Sequence, residues 1–216
     1  MNDSQQGKLN MNAPSQDDLA RLRAIAEQGR NAPLLGGWHL ILWGGALALA
    51  LLINWAVLEG LLDWPHYALA ISWFGIVLAA WAASAVVGRR QADEPGAHSV
   101  GNRVERASWI TAGAFLFTLS VALLVRASLR GGQADWAMFT MMSPATFGAY
   151  AIALHASAVA ANNAAAKPYV LVSLAFAAGT AFLIGDPLQY LVAAGGIALV
   201  SIPLGLTHLS NAKRAG

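Results

Sequence analysis

Cysteine is absent from this chain. That excludes disulfide exchange, thiolate metal sites and cysteine nucleophiles together, and says little about compartment. Charge is scarce as well. Only 11% of the 216 residues are Asp, Glu, Lys or Arg, against about 25% in an ordinary soluble domain. Such a chain has too little charge to cover a water-facing surface. The motifs of several enzyme classes are also missing: no His-Glu-x-x-His, no Gly-x-Ser-x-Gly elbow, no phosphate-binding glycine loop. Ser157 lies two residues from His155, a spacing that does not bring the two together on a helix. No enzymatic activity is expected.

The charge that is present is sorted. Leu34–Leu58, Trp64–Gly88, Ala107–Val125, Trp136–Ala166, Pro168–Gly185 and Pro187–Ala212 contain no Asp, Glu, Lys or Arg. Each run holds at least 18 residues, enough to cross roughly 30 Å of hydrocarbon at about 1.5 Å per residue. Six such runs have no polar face to offer water. The fold class expected is therefore all-α, a polytopic membrane protein with six transmembrane helices over residues 34–210. The first run begins after about 33 polar residues, so no signal peptide is expected and the first helix acts as the insertion signal.

Loop charges set the threading. Eleven of the 13 Lys and Arg residues fall in alternate segments: Lys8, Arg21, Arg23, Arg30; Arg89, Arg90, Arg103, Arg106; Lys167; Lys213 and Arg214. The opposite side holds Arg126 and Arg130. The positive-inside rule then places both termini in the cytoplasm. The two exceptions sit at the C-terminal end of the third helix, where a cation suits the dipole and can snorkel to lipid phosphate. Trp and Tyr residues near the run ends, such as Trp38, Trp109, Trp64 and Trp136, form two interfacial belts. Short loops and Ala-rich helices fit the inner membrane of a bacterium.

Outside the spans, residues 1–14 read as a disordered tail. Residues 15–31 read as a cytoplasmic amphipathic helix, with Leu19, Leu22, Ile25 and Ala26 on one face and Pro33 blocking continuation. Asp63, Asp135 and Asp186 each precede an even-numbered run and are expected to cap it. Pro144 is expected to kink the fourth helix and to free the carbonyl near Thr140. Asn162 and Asn163 are expected to end that helix. Small residues such as Gly44, Gly45, Gly148, Gly195 and Gly196 are expected to allow tight interhelical packing.

The short stretch Asn31-Ala32-Pro33-Leu34-Leu35-Gly36 is similar in part to the Asn-Pro-Ala-Pro-Leu-Gly motif of the six-helix acetate/succinate uptake family. The motif's first proline is absent and its spacing is changed, so no family assignment follows.

With no charged residue expected deep in a span, a coupled pump is disfavoured. Chemistry within the bilayer is left to histidine, hydroxyls and amides. The candidate binding residues are His39 with Trp43 one turn away, Thr140 beside Pro144, and His155, expected to be the deepest ionisable group. His39, His155 and His208 gather at one end of the expected bundle, but no carboxylate or ligand spacing joins them. Neither a metal nor a cofactor is expected. Two function classes remain. The first is a non-enzymatic sensor, regulator or assembly partner. The second is a small-solute channel or uncoupled transporter with a polar path near Pro144 and His155. The partners expected are the lipid bilayer and a cytoplasmic or membrane protein bound through residues 15–31 and 89–106. A homo-oligomer is compatible with the sequence, and no nucleic acid is expected.

Overall fold

The computed structural model describes residues 16, 19–21, 32–131 and 137–215. Regular structure among these residues is helical throughout. Gln16 and Leu19–Arg21 are helical, within the helix expected at 15–31. The other residues of the 15–31 stretch, the 1–14 tail, Asp135 and Trp136 lie outside the described residues.

Among the described residues six long helices follow: α1 (Gly37–Leu58), α2 (His66–Gln91), α3 (Val100–Arg130), α4 (Met142–Ala160), α5 (Lys167–Phe182) and α6 (Leu188–Ala215). Five segments are long and apolar enough to cross a membrane: Gly37–Leu58, Tyr67–Gln91, Val100–Arg130, Ala164–Phe182 and Leu188–Arg214. Their outward faces carry large apolar side chains, among them Ile71, Phe74 and Trp81 on α2 and Phe117 and Leu129 on α3. Water would not tolerate that much exposed hydrocarbon; lipid does. The chain is a multi-pass membrane protein.

The segment outside that set is α4. Pro144, Thr146, Tyr150, His155 and Ser157 lower its hydropathy. It compensates by position. Phe147, Tyr150, Ala153 and Leu154 are buried, and the helix packs extensively on both α3 and α5. A central helix meets protein more than lipid, so it tolerates polar residues that a peripheral helix would not.

The ends follow local chemistry. Gly60, Gly131 and Gly185 take positive φ where α1, α3 and α5 turn away. Asn162 does the same after α4, at φ 50, so the asparagine stop holds. Asp186 Oδ1 accepts from Leu188 N at 2.8 Å, capping α6 as expected. Asp63 does not cap: α2 starts at His66 with Pro65 in the N-cap position and no side-chain cap. The cap of α3 is Ser99, whose hydroxyl accepts from Asn102 N at 3.3 Å.

Two further expectations need correction. α4 starts at Met142, after a short 3-10 segment Met138–Met141, so Pro144 falls in its first turn and not in mid-helix. The missing N–H there interrupts no long ladder. The stretch 89–106 is mostly helical: α2 runs to Gln91 and α3 begins at Val100. Arg103 and Arg106 therefore ride on the first two turns of α3.

The most extensive packing joins α1 and α6. A Cβ on Gly37 would lie 2.6 Å from Gly205 O, and one on Gly205 would lie 2.7 Å from Gly37 O. Gly44 meets Ser201 one step further along. Close backbone approach of this kind is how helices associate in lipid. Gly196 packs against Phe147 and Phe176, whereas Gly45, Gly148 and Gly195 face open space. Two apolar clusters fill the interior. In one, Tyr150, Leu154, Val200 and Leu204 gather beside Trp109, whose ring meets Tyr150 edge-on at 4.8 Å. In the other, Leu51, Phe147, Ala193 and Ile197 gather beside Phe176.

Candidate functional site

The backbone entering α1 is non-helical over 32–35 and carries polar groups that no helix satisfies. Side chains from α2 and α3 satisfy them. Asn102 Oδ1 accepts from Leu35 N at 2.8 Å, and Asn102 Nδ2 donates to Pro33 O at 3.0 Å and to Gly96 O at 3.0 Å. Gln91 Nε2 donates to Leu35 O at 2.6 Å. Glu105 Oε2 accepts from Gly36 N at 3.2 Å. Asn102 and Glu105 are three residues apart, so both point the same way from α3.

Glu105 is 4% exposed. It sits in the second turn of α3, not deep in the span, and it corrects the expectation that no carboxylate joins the histidines. The uncharged run begins at Ala107, but α3 begins seven residues earlier and turns Glu105 inward. Its second oxygen, Oε1, lies 3.7 Å from Nδ1 of His208 on α6. His208 is 3% exposed, and neither ring nitrogen makes a hydrogen bond. Buried polar atoms are usually satisfied, so two orphaned nitrogens on one ring call for an explanation.

His208 borders a cleft of about 310 Å³. One wall is the Ala32–Leu34 backbone, the second the Ala161–Asn163 turn after α4, and the third His208 and Asn211 of α6. Gly101 lets α3 close against that turn, since a Cβ there would lie 2.9 Å from Ala161 Cβ. The cleft therefore joins three asparagines, an imidazole and, behind it, a carboxyl. Carboxamides and imidazole both donate and accept. The asparagine carboxamides are the groups placed to hydrogen-bond a small polar solute, since both ring nitrogens of His208 are shielded from solvent. Ser157, expected from its spacing not to face His155, has its Oγ donating to Ala153 O within its own helix at 2.7 Å. Among the described residues, no group of three or more His, Asp or Glu side chains is placed to hold a metal ion.

The four residues singled out from the sequence fall in three places. His39 and Trp43 share one face of α1 against α2. Trp43 Nε1 donates to Ser84 Oγ at 2.8 Å, and His39 is half-buried beside Ser84 and Gln91. Thr140 lies at the opposite end of the bundle. Its hydroxyl donates to Ala137 O at 2.6 Å, and its carbonyl, freed by Pro144, accepts from Gln189 Nε2 at 2.8 Å. His155 is exposed on the outer face of α4 with Ile152 and Val159. The structure unites His39 with Trp43 and separates both from Thr140 and His155. It brings together instead Asn102, Glu105 and His208. A signal for the first two exists in Ser99-x-x-Asn102-x-x-Glu105, a capping serine followed by two polar residues on one helical face amid arginines. No family model, curated protein or solved structure matches the chain.

Proposed function

We propose that the chain is a six-span inner-membrane protein with both termini cytoplasmic. It binds a small polar solute in the cleft at its cytoplasmic end and reports occupancy through its N-terminal segment to a protein partner, catalysing no reaction. One observation carries this reading. The backbone that leads from the N-terminal region into α1 is itself a wall of the cleft, clamped by Asn102, Glu105 and Gln91. A solute seated among Asn162, Asn163 and Asn211 lies against that segment.

The sixth span is α4, whose 19 residues reach about 28 Å at 1.5 Å each. The loop charges support the orientation. A channel or uncoupled transporter is less well supported. His155 points outward beside Ile152 and Val159, and the carbonyl freed by Pro144 is capped by Gln189, so neither lines a path.

Affinity capture from detergent extracts tests the proposal, using the full chain, a chain lacking residues 1–30, and the full chain with His208→Ala. A specific partner that disappears on truncation and whose capture changes with His208→Ala supports it. If no partner is captured, and solute flux into liposomes falls on His155→Ala, the channel reading replaces it.

A further inference from the structure

The outer face of α3, turned away from the cleft, carries a second feature. Arg103 and Arg106 are exposed there, on the first two turns of the helix. They border a shallow groove of about 590 Å³ whose floor is Val100, Val104, Ala107 and Ile110. Val100 is 61% exposed and Ile110 64% exposed. The groove thus joins two guanidinium groups to a strip of bare hydrocarbon.

The one acidic side chain in this stretch does not neutralise the arginines. Glu105 points to the opposite side of the helix, where it meets Gly36 N and His208. No ion pair engages Arg103 or Arg106 among the described residues. The two arginines are three positions apart, so their side chains leave the helix as neighbours, about 5–6 Å apart at Cβ. Guanidinium forks match phosphate oxygens in pairs. Ile110 lies four residues beyond Arg106, about 6 Å deeper along the helix. Charge at the membrane surface with hydrocarbon directly below it is the chemical profile of a phospholipid.

We propose that this groove is a binding site for an anionic phospholipid. Arg103 and Arg106 hold the headgroup phosphate, and one acyl chain lies along Val104, Ala107 and Ile110. Occupancy would brace the first turns of α3, which carry Asn102 and Glu105 on their other side.

The test uses the full chain purified in detergent and titrated with phosphatidylglycerol or phosphatidylcholine, with bound lipid counted by native mass spectrometry. Wild type should prefer phosphatidylglycerol. The double variant Arg103→Gln/Arg106→Gln should weaken that binding about thirtyfold, at about fivefold for each arginine near the membrane surface. The pair Arg89→Gln/Arg90→Gln, which removes the same charge from the end of α2, should leave it unchanged. If the double variant fails to fold by circular dichroism and gel filtration, each single variant should show its own fivefold loss. Four results would overturn the proposal: no preference in wild type; equal loss in both double variants; displacement of the lipid by millimolar inorganic phosphate; or lipid binding that appears only after residues 1–31 are removed, which would make the chain's own N-terminal segment the occupant.

Discussion

Gly36→Ala is the most informative single substitution. Gly36 has φ −65 and ψ 0, a conformation any residue adopts. Judged by backbone alone, alanine should stabilise the protein by about 0.4–1 kcal/mol, because it narrows the unfolded ensemble. The surroundings reverse that sign. A Cβ at Gly36 would sit 2.5 Å from Glu105 Oε1 and 2.8 Å from Oε2, closer than van der Waals contact permits. Either the carboxyl moves or the 32–36 backbone does. In both cases the Gly36 N–H to Glu105 bond is lost, which strands buried polar groups at about 1–3 kcal/mol, and the carboxyl is displaced from His208. The expected net cost is about 1–2 kcal/mol. The assay is unfolding of the purified protein in mixed micelles, followed by near-ultraviolet circular dichroism. The decisive arm is the same substitution in a Glu105→Ala background. There the new methyl has room, and Gly36→Ala should become stabilising by the backbone increment of about 0.4–1 kcal/mol. An equal cost in both backgrounds would show that Glu105 does not pin the segment. Gly45→Ala, where a Cβ meets nothing within 4 Å, controls for glycine replacement in general.

Three further outcomes follow from the packing. Gln189→Leu should destabilise by about 2–4 kcal/mol, because Gln189 Nε2 donates to both Thr140 O and Thr180 O at 2.8 Å in a fully buried place and each stranded group costs about 1–3 kcal/mol; a loss under about 0.5 kcal/mol in the same assay would contradict it. Gly205→Ala should cost about 1–3 kcal/mol by overpacking the α1–α6 crossing, whereas Gly195→Ala, facing open space, should not destabilise; thermal unfolding in detergent that ranked them the other way would refute the crossing. His155→Ala should shift stability by less than about 0.5 kcal/mol, since the side chain lies on the outer face of α4; a larger loss would mean that His155 packs against protein and does not face outward.

Much of the fold is legible in composition and charge, because hydrocarbon imposes long apolar helices on any sequence that enters it. All six uncharged runs correspond to helices. Pro144 is read correctly in chemistry and wrongly in consequence. It does free the Thr140 carbonyl, but a glutamine 45 positions later in sequence, Gln189, caps it; no local pattern reveals such a pairing. The site is the less legible part. Runs without charge mark where lipid must be, not where a helix begins, so Glu105 reads as loop when it is a buried residue of α3. His155 looks deepest by position along its helix, yet depth along an axis does not say which way a side chain faces. His208, nearer the helix end, is the buried one, because Gly37 and Gly205 draw α6 against α1.

The absence of native cysteine makes the central claim directly testable. Single cysteines placed at Asn211, in the cleft, and at Leu61, 65% exposed in the turn between α1 and α2, can be probed with a membrane-impermeant maleimide in intact cells and in inverted vesicles. A cleft open to the cytoplasm requires Leu61→Cys to label in intact cells and Asn211→Cys to label in inverted vesicles alone. Labelling of Asn211→Cys in intact cells, or from neither side, would contradict it.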